Sequence, residues 1–195
     1  MPVVRLSPLA HNPRESFGML RLDKRRLSAR IMTERILNMD EISFRPLSRA
    51  DADEAARVVR AAFAAQPRST KPPSSALRET AGTVAAKIAA GGGIGAFAGG
   101  ALIAAILWEI KAGALHVGRV SVVPAWRGCG LAGALIKACE SEARQAGLAR
   151  MTLRVRLELP ENERLFERFG FERRELDAHE GFDKPTQAVM EKLLA

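Results

Sequence analysis

The stretch VVPAWRGCGLAG, Val122 to Gly133, contains two overlapping phosphate-binding patterns. Gly128-Cys129-Gly130-Leu131-Ala132-Gly133 spells G-x-G-x-x-G, the pattern of a dinucleotide-binding turn. Arg127-x-x-Gly130-x-Ala132 spells a different phosphate loop. In a dinucleotide site the first glycine comes directly off a strand, near the start of a long parallel sheet, with an acid about 20 residues further on. Here Pro124-Ala125-Trp126-Arg127 separates the apolar strand from Gly128, and the nearest strand-end acid is Glu158, 25 positions past Gly133. No Gly-Lys-Ser/Thr occurs, which excludes a Walker loop. What remains is a strand, glycine-rich chain and a helix N-terminus. Residues without side chains let the N–H groups of Gly128 through Ala132 converge on an anion, the helix dipole favours negative charge, and Arg127 adds a positive one. This describes a pyrophosphate clamp.

Outward from the clamp, the pattern predicts a helix running to Ala146, ended by Gly147 in the usual C-terminal position. Upstream, Leu115–Val123 is a strand. Ile94–Ala98 and Ala101–Ile110 form a hairpin around Gly99-Gly100. Before them come a short strand, 42–47, a helix opened by Ser48-x-x-Asp51 and reaching about Phe63, and a helix over about 75–90. Downstream, Met151–Glu158 alternates apolar and polar residues, Pro160 opens a short helix, and strands are expected over 171–176 and 188–193. The expected order is β, α, α, β, β, β, α, β, α, β, β.

The length, 195 residues, suits one domain. The net charge of +8 invites a nucleic-acid reading, but residues 1–38 hold +5 of it and no aromatic-interleaved basic patch occurs. Neither nucleic acid nor membrane is an expected partner. The uncharged run Ile88–Trp108 imitates a membrane span, yet its six glycines interrupt a helix. Two cysteines, Cys129 and Cys139, indicate a reducing, cytoplasmic setting. The three histidines are far apart and no C-x-x-C accompanies them, so no metal is expected.

VSVVPAWRGCGLAGALIKACESEARQAGL resembles the acyl-CoA-binding motif of the GNAT N-acetyltransferase superfamily, and LPENERLFERFGF, Leu159–Phe171, resembles the family's following motif. The resemblance covers about 42–195. It implies an α/β (α+β) GNAT fold: a mixed, mostly antiparallel sheet of six to seven strands, flanked by about four helices and splayed at the acyl-CoA site. Residues 39–195 would form this domain and 1–38 a basic, disordered extension. The resemblance also implies that acetyl-CoA serves as acyl donor. The backbone of Val122 and Val123 would pair with the pantetheine and hydrogen-bond the thioester oxygen. Arg127, Gly128, Cys129, Gly130, Leu131 and Ala132 would surround the pyrophosphate, with Cys129 as a small spacer. Asn162 would lie near the sulfur. At Phe166 many members carry tyrosine as general acid to the thiolate; this chain has no tyrosine.

A primary amine must lose a proton to attack, and three residues are candidate bases: Glu109, His116 and Glu158. Each has a plain alternative as a solvated or paired side chain. His179 and Thr186 lie in the loop between the last two strands, which in this superfamily often borders the acceptor. Arg119 and Arg156 could bind an acidic acceptor or sit in water. Two readings follow: an acetyl-CoA-dependent N-acetyltransferase acting on a small-molecule or peptide amine, as monomer or homodimer, or a non-catalytic acyl-CoA sensor on the same fold. A nucleotide-dependent oxidoreductase is a distant third. A chain begun at Met39 is expected to keep the thermal stability of the full chain in calorimetry; a lower midpoint would place residues 1–38 on the domain.

Overall fold

The computed structural model describes residues 42–194. The expected 1–38 extension lies outside the described residues. Strand β1 (Ser43–Pro46) leads into α1 (Ala52–Ala64). Helix α2 (Ala81–Ala90) then passes directly into β2 (Gly91–Ala98), β3 (Ala101–Lys111) and β4 (Ala114–Val122). Helix α3 (Leu131–Gln145), β5 (Arg150–Arg156), α4 (Pro160–Glu167), β6 (Glu172–Asp177) and β7 (Gln187–Leu193) complete the chain. The seven strands form one sheet in the order β1-β2-β3-β4-β5-β7-β6, antiparallel throughout except for β4 beside β5. This is the expected order and class.

Each face of the sheet carries a core. On one face α3 packs Leu131, Leu135, Ile136 and Cys139 against Ile94, Ile106, Leu115 and Met151. On the other, Ala55, Ala56 and Val58 of α1 and Val84 of α2 meet Leu47, Phe97, Leu102 and Leu107. Because the period of a strand is two, alternate residues of β3 serve opposite cores.

Ser48 and Asp51 open the first helical segment as predicted. The Asp51 carboxylate accepts the Ser48 N–H at 2.8 Å and its hydroxyl at 2.7 Å, and pairs with Arg45 at 2.7 Å. The uncharged run 88–108 is the end of α2 followed by the β2–β3 hairpin, and no helix among the described residues is long and apolar enough to cross a membrane. Strand β2 begins at Gly91, three residues before the expected start. Glycine is needed there because β3 lies too close for side chains: a Cβ on Gly92 would stand 2.5 Å from the Trp108 ring.

The helix expected over 75–90 is two elements. Ser75–Arg78 is a 3-10 turn, and α2 starts only after Thr80, whose hydroxyl accepts the Thr83 N–H at 3.2 Å. Between them Glu79 turns inward and is 3 % exposed. A helix spanning all sixteen positions would keep that carboxylate from its partners, and the N-cap at Thr80 restarts the chain.

The hydrogen bond and ion pair with Arg45, helped by Ser48, hold the Asp51 carboxyl well below the usual carboxylate range although burial opposes them. A depressed folded-state pKa contributes stability above the unfolded value that is lost as pH falls. Asp51→Asn is therefore expected to cost up to about 1 kcal/mol at neutral pH through the lost ion pair with Arg45. Chemical denaturation against pH should show that gap closing below about pH 4.

Candidate functional site

Strands β4 and β5 pair only where Leu115–Val117 faces Met151–Leu153. Beyond that the strands part, and a cleft of about 750 Å³ opens between them, reaching the start of α3. Strand β4 stays bound to β3 along the gap. Val123 donates its N–H to the Ile103 carbonyl at 3.0 Å, and its own carbonyl accepts the Trp126 N–H at 2.8 Å. Successive strand residues point their polar groups to opposite edges, so Val120 and Val122 face the open side. Val123, expected to share in holding pantetheine, has its N–H committed to the sheet and does not line the cleft.

The clamp follows the 3-10 turn Pro124–Trp126. Gly128 and Gly130 are left-handed, φ +78° and +82°, a conformation that costs an L-residue with a side chain about 1–2 kcal/mol. The first internal bond of α3 runs from the Ala134 N–H to the Gly130 carbonyl, so the amides of Leu131, Ala132 and Gly133 have no helical acceptor. They stand at the positive end of a helix of fifteen residues. Leu131 and Cys129 bury their side chains in the core and offer backbone to the cleft. Gly133 is small for another reason: a Cβ there would meet the Phe169 ring at 2.7 Å.

Arg127 has a structural partner. Its guanidinium donates to the carbonyls of Ala62 and Ala65, at 2.8 and 2.9 Å, and so caps the end of α1 while still lining the cleft. Asn162 and Phe166 line the opposite wall. Phe166 packs edge-on against Phe171, ring centroids 5.9 Å apart, which fills the position with an apolar side chain.

The candidate bases separate into two groups. Glu109 and His116 are cross-strand neighbours and share a second cavity, about 530 Å³, between α2 and strands β3 and β4. His116 Nδ1 lies 3.0 Å from the Thr152 hydroxyl. Burial, then the nearby Arg154, lowers its pKa despite Glu109, so the imidazole stays neutral. Glu158 lies elsewhere, under the α1–α2 loop. Its Oε1 accepts the Lys71 N–H at 2.9 Å, and Oε2 is buried without a hydrogen-bond partner. Burial pushes the Glu158 carboxyl up, but the Lys71 N–H, its own backbone, Arg156 and His179 outweigh this and leave it below its ordinary value.

His179 and Thr186 come together beside Glu158. The Thr186 hydroxyl sits 2.5 Å from His179 Nδ1, and Arg156 directs Nη1 to the same nitrogen at 3.1 Å. A nitrogen that accepts from a guanidinium carries no proton, so the neutral ring bears it on Nε2. Burial, with Arg156, lowers this pKa as well. Arg156 further donates to the Lys71 and Pro72 carbonyls, at 3.5 and 2.7 Å. Among the described residues no group of three or more His, Cys, Asp or Glu is placed to hold a metal ion.

Arg119 lines both cavities, as does Gly118. It is not a free anion binder: its Nε pairs with Glu79 at 2.7 Å and Nη2 bonds the Ser75 hydroxyl at 2.9 Å. Glu79 is absent from the sequence-derived candidates. The one signal for it was Thr80-x-x-Thr83, a capping pattern that leaves Glu79 outside the helix.

A family model described as "Acetyltransferase (GNAT) family" matches residues 56–171, and the chain belongs to that family. Solved structures share the fold. PaiA N-acetyltransferase from Thermoplasma acidophilum, determined in complex with coenzyme A, aligns with TM-score 0.64 and 21 % identity, over 78 % of this chain and 99 % of that one. The ribosomal-protein-S18-alanine N-acetyltransferase from Escherichia coli aligns with TM-score 0.63 and 18 % identity, over 79 % and 94 %. Ard1 from Thermoplasma volcanium gives 0.64 and 16 %, over 79 % and 98 %. No curated protein matches.

A Cβ on Gly128 would meet nothing within 4 Å, so Gly128→Ala clashes with no part of the chain. It is expected to cost about 1–2 kcal/mol of stability through its left-handed φ. Its coenzyme A affinity by calorimetric titration should fall tenfold or more, about 1.4 kcal/mol or above. Arg127→Ala should show the reverse balance, a lower melting temperature from the uncapped α1 and a smaller loss of affinity. Equal coenzyme A affinity in wild type and Gly128→Ala would make the loop a turn and nothing more.

Proposed function

We propose that the protein is an acetyl-CoA-dependent N-acetyltransferase that passes the acetyl group directly to a primary amine. The observation that carries this reading is the cradle at the open β4 edge. Left-handed Gly128 and Gly130 precede amides at the α3 N-terminus that have no helical acceptor, and the cleft runs from there between β4 and β5. That donor set suits a pyrophosphate. Acetyl-CoA, bound there, would supply an activated acetyl thioester. The Val120 and Val122 edge would align the pantetheine and hydrogen-bond the thioester oxygen, a use of fixed dipoles where charge develops. Asn162 and Phe166 would enclose the sulfur end.

The amine would enter from the second cavity, which shares Gly118 and Arg119 with the cleft as lining residues. Glu109 would attract the protonated amine, and neutral His116, held by Thr152, would accept its proton directly or through water. Glu158, with a depressed pKa and one oxygen bound to the Lys71 amide, suits loop anchoring better than proton transfer. His179 and Thr186 would border the far side of the acceptor. Phe166 leaves the thiolate without a phenol, and a coenzyme A thiolate departs tolerably near neutral pH. The acceptor would be a small-molecule or peptide amine. A cytoplasmic setting belongs to the same reading, supported by two free, buried cysteines. The non-catalytic alternative has one observation in its favour, the apolar Phe166.

A panel of amines incubated with acetyl-CoA, read by free thiol release, tests the reading. Release that depends on both substrates is expected; tight acetyl-CoA binding without release from any amine would leave a sensor. Because the His116 pKa is lowered, its base form persists below the ordinary histidine value of about 6.5, and kcat should fall only as pH drops through that lowered value. In His116→Ala that acid limb should vanish and kcat should fall about a hundredfold.

A further inference from the structure

We propose that Glu79 is a positioning residue for the transfer reaction: through its ion pair with Arg119 it holds the bulge of β4 at the junction of the two cavities. The proposal rests on the acetyl-transfer reading above.

Gly118 pairs with Leu107 and Ser121 pairs with Ala105, so Arg119 and Val120 together oppose the single residue Ile106. This is a β-bulge, and bulges re-aim the strand that carries them. Its first residue is an arginine at φ +52°, a left-handed conformation that lasts only where the surroundings impose it. Two contacts impose it. Ser121, 1 % exposed, donates its hydroxyl to the Arg119 carbonyl at 3.0 Å. The Arg119 guanidinium reaches across to Glu79, 3 % exposed, at 2.7 Å.

Glu79 is itself fixed from several sides. Thr83 donates its hydroxyl to the carboxylate, Lys87 Nζ lies 3.0 Å from it, and Arg60 donates to the Glu79 carbonyl. Burial pushes the carboxyl up, and the Thr83, Arg119 and Lys87 contacts outweigh it, so the group is ionised. The segment that breaks the helix expected over 75–90 thus ends in a buried anion aimed at the bulge. Val120, the second residue of the bulge, and Val122, two residues on, point to the open edge. A small error in their direction misplaces the thioester relative to the amine, and misplacement of about 1 Å can cost a hundredfold in rate.

The test compares Glu79→Gln, Arg119→Gln, the double variant, and Asp51→Asn as a destabilised control remote from the cleft. For Glu79→Gln, kcat with the amine giving fastest thiol release should fall about tenfold to a hundredfold, while calorimetric coenzyme A affinity stays within about threefold. Arg119→Gln and the double variant should match it, because both ends of one link are removed, and Asp51→Asn should keep wild-type kcat. Hydrogen exchange over 118–122 should quicken by about tenfold in Glu79→Gln with α3 unchanged.

Losses of kcat and coenzyme A affinity that fall together in proportion to stability would reduce Glu79 to a structural role. Additive losses in the double variant would show that it does not act through Arg119. If the wild type transfers acetyl to no amine, the transfer reading has failed, and exchange decides the anchor alone: local quickening at 118–122 supports it, and none overturns it. Should Glu79→Gln not fold, Arg119→Lys breaks the Nε contact while leaving Glu79 its Lys87 partner, and the same outcomes apply.

Discussion

The parallel pairing of β4 with β5 covers three residues on each strand and then stops. Every part of the proposed site depends on that interruption. A continuous sheet would consume the polar groups of Val120 and Val122 in a ladder; the gap leaves them facing a cleft. Two devices keep it open. On the β4 side, the strand remains anchored to β3 past the bulge, down to the Val123–Ile103 hydrogen bond. On the β5 side, β7 pairs with the full length of the strand, from Arg150–Leu193 to Arg156–Gln187. Each strand therefore has one satisfied neighbour, and the missing bonds fall on one line between them.

Charge is arranged around the gap with the same economy. Arginines that might have filled the cleft with positive charge are tied to fixed acceptors: Arg127 to the end of α1, Arg119 to Glu79, Arg156 to the α1–α2 loop. Their roles are geometric before they are electrostatic. Two half-buried histidines, His116 and His179, stay neutral for the same first reason, burial, with arginines adding to it. The second cavity thus presents one neutral imidazole, His116, where an amine would approach, and the cleft presents backbone dipoles where an anion would lie. Burial also pushes the Cys139 thiol far up, which makes it a packing residue in the α3 core.

Local chemistry made most of the elements readable. Gly99-Gly100 between two apolar runs reads as a hairpin turn, Ser48 and Asp51 as a helix start, and the alternation from Met151 as a strand with one wet face, and each is found. The clamp was readable for the same reason: Gly128 and Gly130 adopt backbone angles that residues with side chains avoid, so their need is written in their identity. The misreading over 75–90 has an equally physical cause. Ala76-Leu77-Arg78 before Glu79 and alanine-rich chain after it both have high helix propensity, and the partners of that carboxylate, forty residues away at Arg119, make the break worthwhile.

The sequence by itself determined the order of elements and the left-handed glycine turn before α3, because each rests on contacts within a few residues. The tertiary structure alone decided where that turn's ligand would lie and which side chains would meet it. The place of β7 between β5 and β6, the three-residue limit on the β4–β5 ladder and the commitment of Val123 to Ile103 are all long-range pairings. The same holds for the candidate residues. Glu109 joins His116 because β3 and β4 are in that register, and Glu158 joins His179 because two loops fold over the end of β5. A carboxylate in a sequence shows what it can accept; its neighbours in space decide whether it accepts a proton, an amide or an arginine.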